Sequence, residues 1–422
     1  VFVKLGYRYR LYPSGEQAGA LLAEMNRCRW VWNHARALRE QIWRTERRTV
    51  GYSELCRQLT CWRAQHEWLR EGSADAQQQA LRELCASYAR AFKAWRRRGR
   101  KGSLRPPGFR SRRRLEWKTI RYTRNGHRVD GERVRVAGIA DGLALRWSRQ
   151  LPSKPHSVTV TLDSAGRWHA SFRVERSEAP LPYTGRCAGV DLGVHCAYAL
   201  SDGERVPNPR HVRRRHRALK RSQRAFARKQ RGSANRAKAR ERVARVHALV
   251  TDARRDWQHR QTTRLVREHD LVCVEDLGVA GMTRSAKGTV ERPGRNVRRK
   301  AGVNRSILDI GFAVLRAMFA YKALLYGREL RVVDRFQPSS KLCSGCGYAK
   351  AKLALSERTY HCGRCGLVLD RDVNAARNIL AAGLAESQNA CGGRVRSARP
   401  RPRGQHPAKQ EDPPVTAGIP RL

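Results

Sequence analysis

The chain has 422 residues, 40% of them hydrophobic, enough to bury a core across two or three domains and to exclude a wholly disordered polymer. Its 88 Lys and Arg outnumber 36 Asp and Glu, leaving a formal net charge of +52. A compact body so charged repels itself unless a polyanion neutralises it. Nucleic acid is therefore the expected partner, rather than a small molecule or a membrane, for which no apolar run of about 18 residues is present.

Along residues 2 to 12, Phe2, Lys4, Tyr7, Arg8, Tyr9, Arg10 and Leu11 alternate as in a strand that Pro13 ends. Ser14 with Gln17 gives a capping-box helix start, and the pattern stays helical to about Arg98. Leu21, Leu22, Met25, Cys28 and Trp32 mark one apolar face, and Leu81, Leu84, Tyr88, Ala91, Phe92 and Trp95 another. The segment RRRGRKGSLRPPGFRSRRR (Arg96 to Arg114) mixes charge, Gly and Pro and reads as a basic linker. From Leu115 to Val174 the period is that of strands, with VTVTL and WHASFRV flanking the turn Asp163 to Arg167 as a hairpin. With the first strand these make a small β-barrel into which the helical module is inserted.

An apolar strand, CAGVDLGV, opens the second half. Residues 210 to 264 are helical and Arg-rich, with a sparse apolar stripe from Leu219 to Trp257. Such a run usually marks a solvated face, but the scarcity of interleaved acids favours a helix pair that faces a polyanion. The strand LVCVEDL follows at Leu271, then a Gly- and Arg-rich loop, one amphipathic helix through Leu308, Phe312, Leu315, Met318, Phe319 and Leu324, and the strand ELRVVDRF. The last forty or so residues are too poor in apolar side chains to fold.

Eight cysteines are scattered (Cys28, Cys56, Cys61, Cys85, Cys187, Cys196, Cys273, Cys391), whereas Cys343, Cys346, Cys362 and Cys365 form two C-x-x-C knuckles, each followed by a glycine, Gly347 and Gly366. Four thiolates so spaced fit one tetrahedral, structural Zn²⁺; the alternative, two disulfides, suits an oxidising compartment. The amino-terminal segment lacks an apolar signal region, so the expected location is the cytoplasm. Three acids stand at strand ends or a helix start: Asp191 in GVDLG, Glu275 closing LVCVE, and Asp372 in LDRDVNAARNIL. Singly each reads as a turn former or cap. Together, on one sheet edge, they can hold two Mg²⁺ ions, or Mn²⁺ in their place, and activate water against a phosphodiester.

With these motifs in order from Tyr7 to Leu380, the chain resembles the TnpB family, transposon-encoded relatives of type V CRISPR effectors. YRYRLYPSGEQ, RCRWVWN (Arg27 to Asn33) and PPGFRSRR resemble its amino-terminal half; GVDLGV, RRDWQHR, VEDLGVAGM, YKALLYG, FQPSSKLCSGCG and DRDVNAARNIL resemble its nuclease half. The resemblance implies a RuvC domain of RNase H-like fold in which Asp191, Glu275 and Asp372 match the catalytic acids, with Asp370 and Asp276 as adjacent alternates. It also implies a guide RNA and a double-stranded DNA target as partners, with one chain expected per RNA. The expected class is thus α+β and multidomain. A β-barrel (1–13 and 100–184) carries the helical module (14–99), followed by an RNase H-like α/β domain (185–380) with basic helices (210–264) and a zinc ribbon (341–366), and a disordered basic tail (381–422). Two rival readings are a non-catalytic RNA-guided repressor and a DNA transposase that acts without RNA.

Overall fold

A computed structural model describes residues 2–98, 106–111, 118–354 and 356–389. It divides into two compact units, one of Lys4–Arg176 and one that takes in the described residues from Ser177 to 389.

The first unit starts with strand β1 (Phe2–Tyr12) and helix α1 (Gly15–Glu46). The capping box forms: the Gln17 amide donates to Ser14 Oγ (3.2 Å) and the Ser14 amide to Gln17 Oε1 (3.1 Å), an arrangement that contributes ~1 kcal/mol. Helices α2 (Tyr52–Gln65), α3 (Glu67–Arg70) and α4 (Ala74–Arg98) follow, then strands β2 (Thr119–Thr123), β3 (His127–Asp130), β4 (Arg133–Val136), β5 (Leu143–Arg146), β6 (Ser157–Leu162) and β7 (Trp168–Ser177). The hairpin at Asp163 closes as read: its amide donates to the Arg167 carbonyl (2.9 Å), and its Oδ1 accepts from the amides of Ala165 and Arg167.

These strands form one sheet in the order β2-β6-β7-β1-β5-β4-β3. Its edge strands, β2 and β3, are consecutive and joined by a single 3₁₀ turn, Arg124–Gly126. A sheet whose two edges are tied by so short a link has to curl on itself, and the result is a nearly closed barrel.

The helical module is not a separate body. The first half of α1 lays Leu21, Met25 and Cys28 against barrel residues that include Tyr9, Ile120 and Phe172, and α4 adds Ala76 and Ala80. The second half of α1 supplies Val31, Trp32 and Ala35 to another core with Leu55, Leu59, Leu81 and Leu84. Tyr7, Tyr9 and Trp32 are core residues, buried to 5%, 2% and 1% exposure, while Trp30 lies half-buried, edge-on to Trp62. Of the basic linker, residues 99–105 and 112–114 lie outside the described residues. Its middle is strapped to α1: Trp32 Nε1 donates to the Gly108 carbonyl (3.1 Å), Arg36 Nε to that of Pro107 (2.9 Å), and Asn33 bonds both backbone groups of Arg110. The motifs RCRWVWN and PPGFRSRR therefore meet in space.

The second unit contains strands β8 (Cys187–Asp191), β9 (Cys196–Leu200) and β10 (Arg205–Pro207), helices α5 (His211–Ala227) and α6 (Ala234–Glu268), and strand β11 (Leu271–Glu275). After these come α7 (Val279–Met282), α8 (Val297–Ile310), α9 (Phe312–Tyr326), β12 (Glu329–Val333), β13 (Thr359–His361), β14 (Val368–Asp370) and α10 (Arg371–Asn389). The five-stranded sheet runs β10-β9-β8-β11-β12. Strands β8, β11 and β12 are parallel, as the continuous apolar run LVCVE suggests for a strand covered on both faces, while β9 and β10 return antiparallel.

Two expectations need correction. The amphipathic helix from Leu308 to Leu324 is two helices, broken at Gly311, whose φ of 77° places it in the left-handed region; Leu308 falls on the exposed side, at 55%. Glycine at a helix end was the missed signal. Helix α10 runs on to Asn389, past position 380, because Leu380 and Ala382 still pack on Leu271, Cys273 and Val333. Residues 390–422 of the expected tail, Cys391 included, lie outside the described residues. Among the described residues no helix is long and apolar enough to cross a membrane.

Candidate functional site

Two clusters of ligand-type side chains sit at the ends of α10 and the five-stranded sheet. In the first, the Sγ atoms of Cys343, Cys346, Cys362 and Cys365 all lie within 4.8 Å of one another, with Cys343–Cys365 and Cys346–Cys362 separations of 3.6 Å. A tetrahedral zinc with bonds of about 2.3 Å requires sulfurs about 3.8 Å apart, close to the two cross-knuckle separations, so the donor set suits the ion. Backbone geometry creates this. In each knuckle the glycine amide returns to the first cysteine carbonyl, Gly347 to Cys343 (2.9 Å) and Gly366 to Cys362 (3.1 Å), with φ of 72° and 71°. The Cys365 amide, aimed at the Cys362 sulfur, holds that thiol down to about 6. At Cys365 the Leu367 amide acts in the same sense but is outweighed by the other thiols, and the group rises to about 12. Buried Tyr360 ties the knuckles together by donating to the Lys341 carbonyl (3.1 Å).

The second cluster is acidic. Asp191 and Glu275 end the neighbouring parallel strands β8 and β11, whose last register pair, Val190 with Val274, leaves the acids side by side. Asp372 lies in the first turn of α10. That helix presses so closely on β8 that a Cβ at Gly189 would come within 2.0 Å of the Ala376 carbonyl, which is why glycine stands there. The acids feel one another. Burial, then the charges of Glu275 and Asp372, push the Asp191 carboxyl up to about 8, against the opposing pull of Arg371. Burial also raises Glu275, partly offset by a hydrogen bond from the Ser339 hydroxyl. Among the described residues, the four cysteines are the only set of three or more ligand-type side chains found within 4.8 Å of one another. The carboxylate oxygens of the three acids are not all within that distance.

Both alternate acids are committed elsewhere. Asp370 caps α10, accepting from the amides of Asp372 (2.9 Å) and Val373 (3.2 Å), and pairs with Arg205 (3.0 Å). Asp276 is held by Arg316 and Arg335, whose hydrogen bonds lower its carboxyl.

Sequence reading missed the residues that support these acids. Cys196, counted among the scattered cysteines, donates its thiol to Asp372 Oδ2 (3.4 Å); burial and that carboxylate push the thiol up to about 12. Ser339 bonds Glu275, and Asn374 and Asn378 of α10 grip the backbone at Ser339 and on either side of Cys343. The motifs FQPSSKLCSGCG and DRDVNAARNIL contained these three. The i, i+4 spacing of the asparagines was the available signal, since it puts them on one helix face.

The chain is similar to proteins of known description. Residues 170–286 match a family described as "Probable transposase", and residues 312–379 one described as "Cas12f1-like, TNB domain". Residues 3–48 match a "Helix-turn-helix domain", although here they form a strand and one uninterrupted helix of 32 residues. The chain is 42% identical over 425 residues to a Streptomyces pristinaespiralis protein named "Putative RNA-guided DNA endonuclease", covering 100% of this chain and 99% of the relative. It is 33% identical to "Putative RNA-guided DNA endonuclease InsQ" of Escherichia coli, over 93% of this chain and 95% of the relative. A solved structure titled "Cryo-EM structure of the Cas12f1-sgRNA-target DNA complex" aligns with a TM-score of 0.33 at 15% identity, over 90% of this chain and 99% of that one.

Proposed function

This chain belongs to the TnpB family, and on that premise we propose that it is an RNA-guided DNA endonuclease whose Asp191, Glu275 and Asp372 direct hydrolysis of the target phosphodiester. The observation that carries the reading is the convergence of three acids from separate elements, Asp191 and Glu275 side by side at the ends of β8 and β11 and Asp372 in the first turn of α10; burial first, then the charges of Glu275 and Asp372, raise the Asp191 carboxyl. Such a site is short of positive charge. Two Mg²⁺ ions held by these carboxylates, or Mn²⁺ in their place, would neutralise the scissile phosphate and lower the pKa of the attacking water.

The chain's own groups prepare that chemistry. The Cys196 thiol, kept protonated, orients Asp372, and the Ser339 hydroxyl orients Glu275. Zn²⁺ on the four cysteines would leave no open coordination position, so its role is structural. The strand order β10-β9-β8-β11-β12, an antiparallel meander followed by two parallel strands, supports an RNase H-like (RuvC) domain over 185–380. In this reading the barrel (1–13 and 100–184) and the helical module (14–99) hold the RNA scaffold and the guide–target duplex. Helix α5, without a single acid, grips phosphates together with α6, so binding falls steeply with salt. Base pairing by the RNA supplies most of the sequence specificity, and the protein reads a short flanking motif.

The matched family's description, "Probable transposase", favours one rival, cutting and joining of DNA ends without RNA. Purifying the protein, sequencing what copurifies, and offering a matched target beside a randomised flank tests both. A discrete RNA and Mg²⁺-dependent cleavage of matched DNA are expected. Joining of DNA ends with no RNA bound would replace the proposal with the transposase, and a matched duplex bound yet uncut in Mg²⁺ would replace it with a repressor.

A further inference from the structure

The four-cysteine ribbon and the acidic cluster are joined by a short chain of buried polar contacts that neither site explains alone. The Ser339 hydroxyl donates to Glu275 Oε1. The Ser339 carbonyl accepts from Asn378 Nδ2 (2.7 Å), and the same amide group donates to the Leu342 carbonyl (2.8 Å). Four residues earlier on α10, Asn374 Nδ2 donates to that Leu342 carbonyl (2.7 Å), while its Oδ1 accepts from the Ser344 amide (2.9 Å). Leu342 and Ser344 flank the ligand-type Cys343. Ser339, Asn374 and Asn378 are buried, at 4%, 0% and 8% exposure. The helix that carries both asparagines also carries Asp372.

Buried amides and hydroxyls are costly unless paired, and here the pairing falls between two clusters. Packing a ribbon against a helix requires apolar contact, not a hydroxyl aimed at an acid. The geometry points to a latch: the closed ribbon fixes the 339–344 backbone, Asn374 and Asn378 lock that backbone to α10, and Ser339 thereby sets the Glu275 carboxylate relative to Asp372. Ser339, Asn374 and Asn378 are positioning residues, and occupancy of the thiolate site governs how well the acids receive divalent cations. This rests on the proposed assignment of the three acids.

Orienting partners of metal ligands typically account for about 10- to 100-fold in cation affinity. The test titrates Mn²⁺ into the RNA-bound protein, following the free ion by electron paramagnetic resonance, with zinc content and guide-RNA retention measured on the same samples. Ser339→Ala is expected to keep one zinc per chain and its RNA while binding Mn²⁺ about tenfold more weakly. Ser339→Thr, which retains the hydroxyl, restores most of the affinity. Asn378→Leu, of similar volume, is expected to weaken Mn²⁺ binding in the same way. Wild-type affinity in Ser339→Ala with zinc retained overturns the latch. Failure of the unaltered protein to bind Mn²⁺, or binding that survives Asp191→Ala, overturns the acid assignment instead.

Discussion

The thiolate cluster and the carboxylate cluster are both collections of ligand-type side chains, yet they are built on opposite principles. Cys343, Cys346, Cys362 and Cys365 come from two copies of one backbone turn, and their sulfurs stand 3.6 Å apart in cross-knuckle pairs. Asp191, Glu275 and Asp372 come from two strands and a helix, and their charges oppose approach. Local geometry preforms the first site. The second is assembled by the tertiary fold, with its acids crowded into one buried site, and on the proposed assignment a divalent cation would relieve that crowding.

The largest effect should break the preformed site. Cys362→Ser is expected to empty the ribbon of zinc, whose contribution to such folds is on the order of 10 kcal/mol, and to lower the melting temperature; metal content and calorimetry check it. A variant that melts and binds zinc like the parent would remove the contrast.

Next is the strained site. Asp191→Ala should cut cleavage about a thousandfold or more, several kcal/mol of transition-state stabilisation, while guide-RNA binding measured by gel shift stays within about twofold. Undiminished cutting would mean that another acid carries the reaction.

Gly189→Ala sharpens the comparison, since it removes no ligand-type side chain but pushes α10, and Asp372 with it, away from β8. Overpacking of this kind destabilises by about 1–3 kcal/mol, to be read by chemical denaturation, with cleavage reduced and zinc unchanged.

Taken per pH unit, the smallest effect is that of pH. Asp191 must lose its proton to hold a cation, so with its carboxyl near 8 the Mg²⁺ affinity should fall by up to about tenfold per pH unit as pH drops below 8. In the metal-free protein the folded value lies above the ordinary 3.8, so the stability it confers is complete below about 4 and is lost as pH rises through 8. Asp191→Asn should flatten that decline in a melting series; an unchanged slope would assign it to other groups.

Legibility from sequence divides along the same line. The ribbon could be read from spacing alone because a turn of fixed geometry has a fixed residue count. The strand LVCVE and the start of α10 were legible from apolar runs and a cap, so Glu275 and Asp372 could be placed on their elements. What periodicity does not contain is which side chain another element claims. Asp276 is tied up by arginines from α9 and the loop after β12, and Asp370 by its own helix and Arg205, neither of which spacing reveals. Ser339, Asn374 and Asn378 bear uncharged polar groups whose significance depends wholly on what they face.

Helix α1 deserves a practical corollary. Because one rod of 32 residues lines the barrel with its first turns and the helical core with its later ones, neither part can be excised cleanly. A miniaturised chain lacking residues 14–99 would strip Leu21, Met25 and Cys28 from the barrel wall and expose Ile120 and Phe172 to water. Any attempt to shrink this protein has to keep the rod or rebuild the wall it covers.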